Sequence, residues 1–202
     1  MLDGWARQKL DPLLDRLAAG LSAAGASANA VTIAGAVIGL LAAASIGAGM
    51  FSLAIALILL SRLSDGLDGA IARIRGKTDF GGYLDIVLDF FFYGAIPLAF
   101  IIYDPSVNAV AGATLILSFY VNGASFLAYA VMAEKRALES HARGEKSLFF
   151  TTGLAEATET IAVFVAMCLV PAWFAVLAWV FAAICFYTAV SRIVLASRTF
   201  VD

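Results

Sequence analysis

Four aspartates fall within one 25-residue stretch of a strongly apolar chain: Asp65, Asp68, Asp85 and Asp89. Carboxylates inside apolar helical runs are costly and mark functional sites. On a helix, Asp65, Asp68, Gly69, Ala72 and Arg73 stand at i, i+3, i+4, i+7 and i+8, which is one stripe. Asp85 and Asp89 stand one turn apart on the next helix, with Gly81 a turn earlier on the same face. Two antiparallel helices joined by a short loop would bring all four carboxylates together. Negative charges that close and partly desolvated repel unless a cation balances them. No Cys or His lies near, so the oxygen donors point to a hard divalent ion, Mg²⁺ or Mn²⁺ rather than zinc. Gly69 lacks a Cβ and lets a bulky ligand approach the backbone. Ala72 keeps the stripe low beside it, and Arg73 is placed to reach the phosphate of a metal-bound substrate.

The elements that must hold these residues follow from composition. Of 202 residues, 62% are hydrophobic and 14% charged, and the mean hydropathy is +0.94. An ordinary soluble domain is about 45–50% apolar and about 25% charged. Too little polar surface remains to cover a water-soluble globule. Disorder, a disulfide-stapled secreted module and nucleic-acid binding are excluded together, since each needs charge or cysteine that is missing. Cys168 and Cys185 both lie in apolar runs and read as membrane-buried thiols. A membrane-crossing helix needs about 20 mostly apolar residues. Six such stretches are present, at 28–48, 51–71, 82–103, 106–132, 154–171 and 172–194. The expected fold is therefore an all-α integral membrane protein: one domain over 1–202, with a six-helix bundle at 28–194. Gly47 and Gly49, Asp104-Pro105 and Pro171 mark turns, and Gly35 and Gly39 form a small-residue face for close helix packing.

Every Lys and Arg falls on one side of this six-span arrangement. Arg7, Lys9 and Arg16 precede the first span; Arg62, Arg73, Arg75 and Lys77 end or follow the second. Lys135, Arg136, Arg143 and Lys146 separate the fourth and fifth, and Arg192 and Arg198 close the chain. The positive-inside rule puts both termini and the aspartate cluster on the cytoplasmic side of the inner or plasma membrane. Residues 1–22 set Trp5, Leu10, Leu13, Leu14, Leu17 and Leu21 against Arg7, Lys9, Asp11, Asp15 and Arg16. That pattern predicts an amphipathic helix lying on the membrane surface, and no cleavable signal sequence.

The pattern Asp65-x2-Asp68-Gly69-x2-Ala72-Arg73, then Gly81-x3-Asp85-x3-Asp89, closely resembles the signature of the CDP-alcohol phosphatidyltransferases. That family has eight residues between the arginine and the second glycine, where this chain has seven, 74–80. Gly82 would restore the count but break the Gly-x3-Asp spacing. The resemblance implies a six-helix membrane enzyme with an N-terminal interfacial helix, working as a homodimer. It implies two divalent cations held by Asp65, Asp68 and Asp85, with Asp89 touching the second and acting as general base. Gly69, Ala72 and Arg73 would face the CDP diphosphate, and Gly81 would let the nucleotide lie close. Asn29 and Thr32 resemble family positions at the start of the first span, where they also suit a helix cap. The implied reaction moves a phosphatidyl-type group from a CDP-linked lipid, CDP-diacylglycerol, to a small alcohol and releases CMP.

Lys135, Arg136 and Arg192 are the candidate acceptor-binding residues, since family members using phosphorylated acceptors place basic residues in such a region. Anchoring to membrane lipids by the positive-inside rule explains them equally. Their charge favours a phosphorylated alcohol, most simply glycerol 3-phosphate, over an inositol-type or non-phosphorylated acceptor. From another class, a transporter would also carry intramembrane acids, but near the midplane and in repeated halves. The acids here cluster at one interface.

Overall fold

The computed structural model describes residues 2–136 and 156–200, and among them every regular element is helical. Seven α-helices run in order: α1 (Leu2–Ala23), α2 (Ala28–Gly47), α3 (Phe51–Arg75), α4 (Asp79–Tyr103), α5 (Pro105–Lys135), α6 (Ala157–Leu169) and α7 (Phe174–Thr199). A 3₁₀ turn, Pro171–Trp173, joins the last two. Four segments are long and apolar enough to cross a membrane: α2, α4, α5 and the continuous run Pro171–Thr199. The other two expected spans differ for identifiable reasons. Helix α3 is long, but its second half carries Arg62, Asp65, Asp68, Arg73 and Arg75. Helix α6 is described over only 13 residues, below the length a bilayer core requires. Arg143, Lys146 and most of the basic loop they belong to lie outside the described residues.

The turns follow from residues that supply what a helix end lacks. The Ser27 hydroxyl accepts the Ala30 N–H at 3.2 Å and opens α2. Gly49 takes a φ of +75° in the α2–α3 turn, where a side chain would be strained. Gly76 does the same at +99° just after α3. The Thr78 hydroxyl accepts the Gly81 N–H at 3.1 Å and opens α4. Asp104 accepts from Val107 N–H at 3.3 Å and Pro105 begins α5, so the Asp-Pro pair is a helix start as well as a turn.

Packing is set by small residues rather than by a water-driven core, because lipid tails are as apolar as leucine. The widest contacts of α2 are with α3 and α4, and two glycines let it approach both. A Cβ on Gly35 would lie 2.9 Å from Ser64 Cβ, and one on Gly39 would lie 2.7 Å from Phe92 Cδ2. The Ser61 hydroxyl donates to the Gly35 carbonyl at 2.8 Å across this seam. Helix α5 packs on α4 and α7, and α6 touches α3 and α7. The common interior holds Ile46, Ile58, Phe92, Ile96, Phe100, Leu115, Phe164, Met167, Phe174 and Phe181. Phe100 and Phe174 stack with centroids 4.4 Å apart, and both cysteines are buried. Leu169, Val110, Val131 and Tyr120, each at least 65% exposed, belong to an outward apolar surface larger than a soluble monomer carries.

Helix α1 lies against α3. Leu14 and Ala18 are buried there, while Leu13, Leu17 and Leu21 face outward. A Cβ on Gly66 would sit 2.9 Å from Leu14 Cδ1, and Ala18 packs with Ala70 and Ile71. Arg75 donates to the Ser22 hydroxyl and carbonyl, fastening the end of α1 to the end of α3.

The α2 seam yields a stability test. Gly39→Val should lower the thermal unfolding midpoint in detergent by an amount equivalent to about 1–3 kcal/mol, the usual range for overpacking. Gly94→Ala, where nothing lies within 4 Å of the added Cβ, should lose none. Equal effects at both positions would contradict the close approach of α2.

Candidate active site

The site forms where α3 ends and α4 begins. The tight connection 76–78 reverses the chain, so the last turns of α3 face the first turns of α4. Carboxylate oxygens of Asp65, Asp68 and Asp85, one from each, lie within 4.8 Å of one another. A cavity at this point is lined by Thr32, Gly35 and Ala36 from α2, Arg62, Asp65 and Asp68 from α3, and Asp85, Leu88 and Asp89 from α4. Asp68 is only 6% exposed, and its Oδ2 has no hydrogen-bond partner. A buried, unsatisfied carboxylate oxygen is expensive, and this one belongs to a trio of like charges. Carboxylate oxygens converging in one cavity, with no Cys or His among its lining residues, fit Mg²⁺ or Mn²⁺.

Asp89 stands differently. Its Oδ1 accepts from Arg62 Nη1 at 2.7 Å, and it is not one of the three converging carboxylates. The same Nη1 lies 3.6 Å from Asp65 Oδ1. Arg62 Nη2 donates to the Ser61 hydroxyl at 3.2 Å, and the guanidinium sits 4.2 Å above the Phe92 ring centroid. Arg62 is thus a cation packed into the site, with its side chain 16% exposed. Its charge was legible in the sequence as one more basic residue on the cytoplasmic side. Its place one turn before Asp65, on the aspartate stripe, was the signal for a second role.

The remaining candidate residues divide into groups. Gly69 is open: only Arg73 Nη1, at 4.0 Å, approaches the position of a Cβ. Ala72 follows on the same helix and is half-buried. Arg73 pairs with Asp15 of α1, Nη2 to Oδ1 at 2.9 Å, and both side chains are at least half exposed, so the pair is weak and easily exchanged. Of the two glycines, Gly81 is the crowded one. A Cβ there would meet Thr78 Oγ1 at 2.9 Å and Asn29 Oδ1 at 3.0 Å, whereas Gly82 has nothing within 4 Å. Asn29 therefore reaches across to α4, and Ser27 takes the cap that the sequence pattern equally offered to Asn29 and Thr32. The Thr32 hydroxyl donates to the Ala28 carbonyl at 3.0 Å and lines the cavity.

The basic candidates do not converge into one cluster. Arg192 of α7 donates through Nη1 to Asn122 O at 2.9 Å, Asn122 Oδ1 at 3.1 Å and Ser125 Oγ at 2.6 Å, all on α5. Asn122 precedes Gly123, whose Cα side abuts the Phe90 ring next to Asp89, so Arg192 is linked by packing to the α4 side of the site. Arg136 packs beside Phe200, its guanidinium 5.6 Å from the ring centroid, and Lys135 is exposed.

A bundle of membrane-type helices with a carboxylate centre at one helical hairpin defines the general class. The family follows from comparison: residues 25–194 match the model of the CDP-alcohol phosphatidyltransferases, and the chain belongs to that family. The inner membrane protein YnjF of Escherichia coli K12 is 44% identical over 193 residues, covering 96% of this chain and 94% of its own. The archaetidylinositol phosphate synthase of Methanothermobacter thermautotrophicus is 37% identical over 84 residues, 41% of this chain and 40% of that one. The fold is shared with the phosphatidylinositol phosphate synthase of Mycobacterium tuberculosis. Its crystal structure with CDP-DAG bound is 24% identical with a TM-score of 0.70, covering 90% of this chain and 92% of that one. Its complex with manganese and citrate gives a TM-score of 0.65 at 24% identity over 89% and 87%.

The two glycines at the start of α4 can be told apart by substitution. Gly81→Ala should push on Thr78 and Asn29 and destabilise the protein by about 1 kcal/mol or more. Gly82→Ala should be neutral or slightly stabilising in thermal unfolding, since alanine is the better helix former. The reverse order would show that Gly82, not Gly81, faces α2.

Proposed function

We propose that this chain is a metal-dependent enzyme transferring a phosphatidyl-type group from CDP-diacylglycerol to a small phosphorylated alcohol, with release of CMP. One observation carries the metal reading: three carboxylates converge within 4.8 Å, and a buried Asp68 oxygen among them lacks any partner. Asp65, Asp68 and Asp85 are the residues we assign to divalent cations, Mg²⁺ or Mn²⁺, with Asp89 completing a second position. When bound, such ions neutralise the diphosphate and the departing CMP. The manganese in the Mycobacterium tuberculosis neighbour and the CDP-DAG in its relative structure support the same assignment of cofactor and donor.

The protein's own residues divide the remaining work. The open flank of Gly69 gives the diphosphate room at the α3 backbone. Arg73, held only by an exposed pair with Asp15, exchanges that carboxylate for phosphate oxygens. Asn29 and Thr32 of α2, with Gly81 of α4, shape the nucleotide side. The acceptor oxygen bonds to the lipid-bearing phosphorus, and the bond from that phosphorus to the bridging oxygen of CMP breaks. The hydroxyl proton passes to the Asp89 carboxylate, which without substrate is paired with Arg62. Lys135, Arg136 and Arg192 are the residues we assign to the acceptor's phosphate. Glycerol 3-phosphate is the simplest acceptor of that kind. A second reading, an inositol phosphate as acceptor, is favoured by the archaeal relative and the mycobacterial neighbour, which are inositol phosphate lipid synthases by name.

We place the enzyme in the inner membrane, as the name of the Escherichia coli relative says of that protein. Six spans would form one domain, with α1 lying on the cytoplasmic surface, both termini and the site facing the cytoplasm, and two copies forming a homodimer. The outward-facing Leu13, Leu17 and Leu21 of α1 suit contact with lipid headgroups and upper acyl chains.

CMP release from CDP-diacylglycerol by purified protein, with a panel of phosphorylated and free alcohols, tests the reading. Turnover should require Mg²⁺ or Mn²⁺, stop with a chelator, and appear with only one phosphorylated acceptor. Asp89→Asn should reduce kcat by about 10²-fold or more, the range for a general base, while CDP-lipid binding persists. Metal-independent turnover, or a fully active Asp89→Asn protein, would contradict it.

A further inference from the structure

Arg62 is the one cation that the described residues place inside the carboxylate site. It is not part of the aspartate–glycine–arginine pattern, yet it makes the shortest charged contact there. Its Nη1 lies 2.7 Å from Asp89 Oδ1 and 3.6 Å from Asp65 Oδ1. Two further contacts hold the guanidinium in the site. Ser61 Oγ accepts from Nη2 at 3.2 Å, and Ser61 is itself anchored to the Gly35 carbonyl. The Phe92 ring lies beneath at 4.2 Å. A planar, permanently charged group held this way belongs to the site and is not a surface charge.

The four aspartates are therefore not equivalent. Asp65, Asp68 and Asp85 converge on one point, while Asp89 is drawn toward Arg62. We infer that Arg62 is a resident counter-cation that occupies the place of a second divalent ion, so that the protein without nucleotide binds a single Mg²⁺ or Mn²⁺ at Asp65, Asp68 and Asp85. Asp89 becomes available to another ion only when Arg62 lets go of it. The diphosphate of a bound CDP-lipid supplies both an anion to which the guanidinium can turn and oxygens for the incoming ion. Arg62 is in this account a positioning residue that couples completion of the metal centre to the presence of substrate. The inference rests on the metal-centre reading above and is separable from it by counting ions.

The test is a Mn²⁺ titration of the purified, detergent-solubilised protein without nucleotide, with free Mn²⁺ followed by its EPR signal. Wild type should take up one ion per chain, and Asp89→Asn should also bind one with affinity within about twofold of wild type. Arg62→Met keeps the volume over Phe92, removes the charge and should bind two. Adding Asp89→Asn to Arg62→Met should abolish the gained site and leave the first. Two ions on wild type, a single ion on folded Arg62→Met, or a loss of about tenfold or more in the first affinity on Asp89→Asn, the effect expected for a ligand or its direct support, would each overturn the inference. No bound ion on wild type would overturn the metal-centre reading itself. Should Arg62→Met not fold, the wild-type and Asp89→Asn arms still decide.

Discussion

The mutual repulsion of aspartates brought together at one helical hairpin is the constraint around which this bundle is arranged. Asp65 and Asp68 end up opposite Asp85 only because α3 and α4 meet through a connection of three residues, 76–78, closed by Gly76 and capped by Thr78. Separated along two helices, these carboxylates would each be solvated and unremarked. Together, with Asp68 almost wholly buried, they form an anionic point that helix packing alone cannot satisfy. The fold tolerates this by placing one cation of its own, Arg62, at the edge, and by leaving one carboxylate oxygen without a partner.

Helix α2 makes that arrangement rigid. Gly35 and Gly39 permit a separation from α3 and α4 that any side chain would prevent, and Ser61 bonds across the seam. The same helix then contributes Asn29 and Thr32 to the rim of the site. Structure and chemistry share residues here: Phe92 is at once a buried core ring, the neighbour that makes Gly39 obligatory, and the platform under Arg62. Helix α1 closes the opposite flank, where Leu14 rests on Gly66 and Asp15 meets Arg73.

Much of this was legible in the residues. Spacing of i, i+3, i+4, i+7 and i+8 fixes which side chains share a face whatever the tertiary context, so the aspartate stripe could be read without coordinates. Apolar runs of about 20 residues gave the approximate positions of α2, α4 and α5, whereas the caps at Ser27 and Thr78 emerged only with the structure. What could not be read depends on contacts between helices. Nothing in the spacing says that Asp89 turns to Arg62 while Asp85 turns to Asp65 and Asp68. Nor does it say that Asn29 crosses to Gly81 instead of capping its own helix, or that Arg192 spends its guanidinium on Asn122 and Ser125. The choice between Gly81 and Gly82 likewise needed the distance to α2. The stripe is local to one helical hairpin, whereas the basic candidates are scattered over α5, its C-terminal end and α7.

The central claim is that Asp65, Asp68 and Asp85 jointly hold a divalent ion. Anomalous diffraction from crystals of this protein grown with Mn²⁺ addresses it most directly. The account predicts a manganese peak within bonding distance of carboxylate oxygens from all three residues. A density map with no peak between them, or with manganese bound only elsewhere, would contradict it.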